Sequence, residues 1–131
     1  MSEKITKWTA NFVEYKHGVR GELEDIRVTE NEIDVKLKKG KKKYICIDSL
    51  EALNVSNLEE EIIATLNKKE NVEWLYNNWS KLEKTNTSYF FVNPQKESYW
   101  AVNPRNHSKV TGKKDLKKGL LSLFESCPEV K

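Results

Sequence analysis

The chain has 131 residues, of which 37% are hydrophobic and 33% charged, and it contains four Trp, five Tyr and four Phe. This aromatic content indicates a packed core, so the composition excludes a mainly disordered chain. The 23 basic and 20 acidic side chains leave a net charge of only +3, which does not by itself require a nucleic-acid partner.

The cysteines and the amino-terminal residues narrow the class further. Cys46 and Cys127 lack the C-x-x-C spacing of a zinc site, and two isolated cysteines are typical of a reducing compartment. The stretch MSEKITKW contains no apolar run, and no later stretch reaches the length of a membrane-spanning helix. We therefore predict one cytoplasmic α+β domain over residues 1–131, with no metal, no cofactor and no membrane partner.

The chain begins with a predicted helix that ends near Gly18. Its apolar face carries four residues at helical spacing: Ile5, Trp8, Phe12 and Tyr15. The segment from residue 22 to residue 48 then alternates apolar and charged residues, which predicts three antiparallel strands.

The first strand turn sets a predicted register. A turn at Thr29–Glu32 places Asp25 opposite Lys36 and Arg27 opposite Asp34, so two pairs of opposite charge share the outer face. For the second turn we predict a three-residue loop over 38–40. That loop pairs Ile45 with Ile33 and buries Ile45 and Ile47. A two-residue turn at Lys39-Gly40 instead places Tyr44 and Cys46 on the core face and exposes both isoleucines.

The second half is predicted to hold two helices, a hairpin and a last helix. The capping box Ser56-Asn57-Leu58-Glu59 predicts a helix with Leu58, Ile62, Ile63 and Leu66 inward, and a second helix follows over 72–82. Two aromatic-rich segments, 88–92 and 98–102, each run into Val-Asn-Pro, which indicates two strands that end at those motifs. Leu116 to Cys127 forms the last predicted helix.

The predicted element order is therefore α-βββ-αα-ββ-α. This is an α+β fold with an antiparallel sheet of about five strands and helices packed mainly on one face. The order is similar to that of the type III secretion chaperone-like fold, which implies a small dimeric protein-binding chaperone.

One constellation of charged residues resembles a catalytic site. Asp25, Asp34 and Lys36 lie on one face of adjacent strands, and Glu14 precedes them on the first helix. In outline this resembles the metal-dependent PD-(D/E)XK nucleases, although no Pro precedes Asp25. The resemblance implies that the carboxylates hold Mg²⁺ and that the lysine positions the attacking water. The alternative is an exposed ladder of opposite charges.

Two basic clusters provide a second hypothesis. The first spans Lys38–Lys43 at a hairpin tip, and the second spans Arg105–Lys118. Together they predict a nucleic-acid interface if they lie side by side, with these contact residues: Lys39, Lys41, Lys42, Lys43, Arg105, Lys109, Lys113 and Lys114. Lysines at a hairpin tip also keep a sheet soluble, which is the simpler interpretation.

The aromatic hairpin provides the leading hypothesis. Its two strands carry apolar or aromatic residues on both faces, whereas a sheet with one solvated face alternates apolar and polar residues. Either helices cover both faces or another protein covers one of them. We therefore expect a non-enzymatic protein-binding module, in the manner of a chaperone, inhibitor or immunity-type adaptor, or a self-associating one. The predicted contact residues are Tyr89, Phe91, Tyr99, Trp100 and Leu121.

Overall fold

The structure is a computed structural model that describes residues 3–108 and 113–130. The strands are β1 (Leu23–Val28), β2 (Glu32–Leu37), β3 (Gly40–Cys46), β4 (Ile62–Leu66), β5 (Ser88–Asn93) and β6 (Ser98–Val102). The helices are α1 (Glu3–Val19), α2 (Lys69–Asn77), α3 (Trp79–Leu82), α4 (Pro104–His107) and α5 (Lys113–Glu125). None of the helices within these ranges is both long enough and apolar enough to cross a membrane.

The strands form one six-stranded sheet in the order β1-β2-β3-β4-β5-β6. Pairing is antiparallel between β1, β2 and β3 and between β5 and β6, but β4 runs parallel to both β3 and β5. The α+β class is confirmed. The prediction of a purely antiparallel, five-stranded sheet is wrong, because the parallel pairs bring a sixth strand into the centre.

The sixth strand replaces a predicted helix. Residues 62–66 form β4, and two short 3₁₀ turns, Leu50–Ala52 and Val55–Asn57, lie where the chain approaches it. A central strand that is covered on both faces is typically a near-continuous apolar sequence, and residues 62–66 are apolar except for Thr65. The helical spacing of Leu58, Ile62 and Leu66 was a coincidence of that composition.

Helices cover both faces of the sheet, which corrects the prediction of one covered face. Helix α1 packs on one face against Ile33, Val35 and Tyr44. On the other face the longer helices α2 and α5 pack over the β4–β6 half and bury Ile63 and Phe91. Each face therefore has its own apolar core.

The two-sided cover explains the register of the second hairpin. The β1–β2 register is as predicted, with Asp25 opposite Lys36 and Arg27 opposite Asp34. The β2–β3 register is not: Ile33 lies opposite Tyr44, and Leu37 lies opposite Gly40 across a two-residue turn. The three-residue loop is needed to keep Ile45 and Ile47 out of water only if one face of the sheet is solvated. Here Ile45 and Ile47 contact the second core instead, so nothing disfavours the shorter turn.

The two Val-Asn-Pro motifs are strand ends, as predicted. Asn93 accepts hydrogen bonds from the backbone N–H groups of Gln95 and Lys96, both at 3.1 Å, and so closes the β5–β6 turn. Asn103 accepts from the Asn106 N–H at 3.1 Å and caps α4. The doubled motif is therefore a structural feature of the hairpin.

Candidate functional site

Two surfaces of the sheet combine unusual chemistry with exposure. The first is a cleft of about 760 Å³ on the sheet face that α2 and α5 leave open, beside strands β1–β3. The second is the β6 edge of the sheet with the aromatic rings next to it. We call them the charged cleft and the β6 edge.

The floor of the charged cleft is made of strand residues that point away from α1. Six charged side chains occupy successive positions of this face: Asp25, Arg27, Asp34, Lys36, Lys41 and Lys43. Across β2 and β3, Lys36 lies directly opposite Lys41. Two like charges in directly opposed positions repel each other, so this pair destabilises the free hairpin.

The wall of the charged cleft is acidic. Glu59, Glu60 and Glu61 line it immediately before β4. The backbone holds this segment beside β5, because the N–H of Asn86 donates to the carbonyl of Glu59 at 3.0 Å and the Ser88 N–H donates to that of Glu61 at 3.4 Å. The acidic wall and the basic floor therefore face each other at a fixed place in the fold.

Few of the charges in the cleft neutralise each other directly. Lys43 Nζ contacts Glu32 Oε1 at 3.0 Å, and this hydrogen bond is the main reason why the pKa of Lys43 is raised. The carboxylates of Asp34 and Glu61 raise the same pKa more weakly, so Lys43 interacts electrostatically with Glu61 of the acidic wall. Among the described residues, no ion pair joins Asp25 to Lys36 or Arg27 to Asp34.

The cleft contains three of the four predicted nuclease residues. Asp25, Asp34 and Lys36 share its floor, as the predicted register required. Glu14 does not join them, because it is exposed on α1 and that helix packs against the opposite face of the sheet. Within the described part of the chain, no group of three or more His, Cys, Asp or Glu side chains is placed to hold a metal ion.

The predicted nucleic-acid residues lie on different elements of the fold. Lys41, Lys42 and Lys43 line the charged cleft, and Lys39 lies in the β2–β3 turn. Arg105 is exposed on α4, two residues after Asn103, which also lines the cleft. The acidic segment Glu59–Glu61 faces the lysines across the cleft. Lys109 and the side chains of Lys113 and Lys114 lie outside the described residues.

Of the predicted protein-binding residues, three are internal. Tyr89, Phe91 and Trp100 are buried in the core under α2 and α5, so the prediction that they form a contact surface is corrected. The Phe91 and Trp100 rings stack with centroids 4.2 Å apart. Leu121 is half-buried and lines a small groove of about 250 Å³ between α2 and α5. Tyr99 stays 44% exposed.

Tyr99 is the centre of an aromatic group that we call the ring cluster. Its ring lies 5.6 Å from Trp8, 5.1 Å from Phe12 and 5.5 Å from Phe90, measured between centroids. Trp8 and Phe12 also stack on each other at 5.2 Å. Trp8 and Phe12 belong to the predicted apolar face of α1, and both are half-buried. Their helical spacing in the sequence was the only sign of their proximity to each other.

The two edges of the sheet differ in their protection. Strand β1 carries Glu24, Asp25 and Arg27, and its register shifts between Leu23 and Asp25. Charges and bulges of this kind prevent another strand from pairing. Strand β6, with the sequence Ser-Tyr-Trp-Ala-Val, has neither a charge nor a proline. In the described part of the chain, no backbone hydrogen bond outside the sheet engages residues 98–102.

No protein family, curated protein or solved structure matches the chain. Neither the chaperone-like nor the nuclease-like resemblance gains support from a relative. The function is therefore argued from the geometry of the two surfaces.

Proposed function

We propose that the chain is a non-enzymatic protein-binding module that receives an extended strand of a partner, or of a second copy, along β6. The observation that carries the proposal is the β6 edge itself, an uncharged edge strand beside the exposed ring of Tyr99. The role belongs to the class of chaperones, inhibitors and immunity-type adaptors.

Strand addition needs a backbone template and a side-chain contact. Within residues 3–108 and 113–130, no backbone group outside the sheet pairs with β6, so its outer N–H and C=O groups can bind another backbone without regard to sequence. Tyr99 and Ala101 point to the α1 side of that edge, and both are exposed. An added strand therefore places every second side chain on the α1 face, and the one beside Tyr99 meets the ring cluster, which supports a preference for an apolar or aromatic residue there.

The two alternative functions receive less support. The carboxylates of Glu59–Glu61 line the same cleft as Lys41–Lys43, and they repel the phosphates of a nucleic acid bound there. A Mg²⁺-dependent nuclease needs a third acidic ligand or a substitute near Asp25 and Asp34, and Glu14 lies across the sheet from them.

Site-specific photo-crosslinking in the producing cells tests the proposal. A benzophenone amino acid replaces Tyr99 in one variant and Tyr15 in the control, since Tyr15 is 74% exposed on α1 but makes no ring contact with the cluster. We expect a defined crosslinked product from position 99, either a dimer or an adduct with one partner. Introducing Ala101→Lys in the position-99 variant should abolish it, because a lysine on an edge strand disfavours pairing with another strand.

The opposite results are equally clear. If position 99 gives no product beyond those of position 15, or if Ala101→Lys leaves the product unchanged, strand addition at β6 is wrong. Circular dichroism of each variant establishes that the fold is retained.

A further inference from the structure

We propose that the charged cleft is a binding site for a small zwitterionic ligand, with an anionic group on the strand floor and a cationic group on the Glu59–Glu61 wall. The site is distinct from the β6 edge, because its charged floor lies on β1–β3 and, of the residues in or next to β6, only Asn103, directly after that strand, belongs to its polar lining. Its volume of about 760 Å³ is within the usual range of small-molecule sites.

The floor is the anion-binding side. It carries four basic side chains, Arg27, Lys36, Lys41 and Lys43, against the two carboxylates of Asp25 and Asp34. Of these cations, only Lys43 has an ion-pair partner among the described residues, and that partner is Glu32. An anion bound between Lys36 and Lys41 reduces the electrostatic repulsion between these two opposed side chains. This reduction strengthens the binding of the anion.

The wall is the cation-binding side. Glu59 and Glu60 are exposed, and Glu61 is half-buried and accepts a hydrogen bond from the Glu59 N–H at 2.7 Å through Oε1. This bond, with the backbone bonds to Asn86 and Ser88, holds the acidic segment in one conformation. Three carboxylates at one place favour an ammonium group over a second phosphate.

The opposed signs of floor and wall determine the ligand class. A polyanion such as a nucleic acid is attracted by the basic floor but repelled by the acidic wall. A polyamine is attracted by the wall but repelled by the floor. A molecule with one charge of each sign is attracted by both the floor and the wall. Amide groups complete the polar lining: Asn103 donates to Asn86 Oδ1 at 3.3 Å and to Ser88 Oγ at 3.2 Å beside the wall.

Calorimetric titration with aminoalkyl phosphates of increasing chain length tests this inference. Inorganic phosphate and the matching alkylamine, each alone, represent the two halves of the ligand. We expect one chain length to bind more tightly than either half. Lys41→Gln should weaken that binding about three- to fivefold, as expected for one exposed charge pair. Lys39→Gln, which removes the same charge from the turn outside the cleft, should leave it unchanged.

A second pair of variants assigns the ends of the ligand. Glu60→Gln should weaken the zwitterion and the amine while leaving phosphate binding unaffected, and Glu51→Gln, exposed outside the cleft, should change nothing. The inference is overturned if no zwitterion exceeds its halves, or if Lys39→Gln and Lys41→Gln weaken binding equally. It is also overturned if a DNA duplex binds more tightly than every aminoalkyl phosphate.

Discussion

The indole Nε1 of Trp100 donates a hydrogen bond to Oδ1 of Asn67 at 2.7 Å, and both residues are buried. The Nδ2 group of the same asparagine donates to the carbonyls of Phe124, Cys127 and Pro128 at 3.0–3.3 Å. One amide therefore joins the aromatic hairpin to the segment that follows α5. The Val130 N–H donates in turn to the Asn67 carbonyl at 3.0 Å.

Asn67→Ala should lower the free energy of unfolding by about 2–3 kcal/mol, because it leaves the Trp100 indole and the Cys127 carbonyl without their hydrogen-bond partner. Asn67→Asp should also be destabilising, since a carboxylate cannot donate to the carbonyls. Urea denaturation followed by tryptophan fluorescence measures both. Asn77→Ala, an exposed position on α2, serves as the control and should change stability by less than about 0.5 kcal/mol.

Adjacent residues of β5 should respond differently to truncation, because they face different sides of the sheet. Phe91 is fully buried and stacked on Trp100, so Phe91→Ala should cost about 3–5 kcal/mol. Phe90 is half-buried in the ring cluster, and Phe90→Ala should cost clearly less. Equal losses in urea denaturation would contradict the assignment of the two faces.

Two buried tyrosines allow a paired test of hydrogen bonding. The Tyr44 hydroxyl has no partner among the described residues, whereas the Tyr89 hydroxyl accepts a hydrogen bond from Thr87 Oγ1 at 3.2 Å. Tyr44→Phe should therefore stabilise the protein by about 1 kcal/mol, and Tyr89→Phe should destabilise it by a similar amount. Thermal denaturation at neutral pH measures both, and destabilisation by Tyr44→Phe would indicate a hidden partner.

The same two tyrosines predict a late alkaline transition. Burial raises the pKa of Tyr44 and that of Tyr89 to about 12, from an ordinary value of 10.0. Each tyrosine has a higher pKa in the folded protein than in the unfolded chain. Its contribution to stability is therefore fully present below the unfolded-state pKa and is lost as the pH rises from that pKa towards 12. Part of the tyrosinate absorbance should thus appear only near that pH or on unfolding, and Tyr44→Phe should reduce this part.

Glu22 should make the stability of the protein depend on pH in the opposite direction, at acid pH. A hydrogen bond from the buried His17 is the main cause that lowers the Glu22 pKa below its ordinary 4.5. A lowered folded-state pKa stabilises the fold above the unfolded value, and this contribution is lost as the pH falls through the folded value. Glu22→Gln should therefore flatten the acid side of the melting-temperature profile. Glu14→Gln, exposed on α1, should reproduce the wild-type curve.

The parts of the fold that local rules determine could be predicted from the sequence. Alternation and a short turn were enough for the β1–β2 register, and this alone placed Asp25, Asp34 and Lys36 on one face. The β2–β3 register failed because alternation is informative only if one face is solvated. Ile45 has an apolar environment on either face, so burial did not favour one turn over the other.

The non-local parts of both surfaces could not be predicted. The acidic wall lines the cleft because β4, which follows it, pairs in parallel with β3. A parallel connection has no short turn whose sequence would predict it. Trp8 and Tyr99 meet through the packing of α1 across the sheet. The alternation of aromatic residues in β5 and β6 did indicate cover on both faces, but it did not tell which residues remain accessible.

The bonds from residues 127–130 to Asn67 and Asn93 have a consequence for biosynthesis. Helix α1 and strands β1–β3 are neighbours in sequence, so their core can form early as the chain leaves the ribosome. The second core cannot be completed until α5 has been synthesised. The Asn67 and Asn93 side chains stay without these partners until residue 130 has emerged. A nascent chain stalled before that point exposes the rings of Phe91 and Trp100, which makes it a substrate for chaperones and proteases.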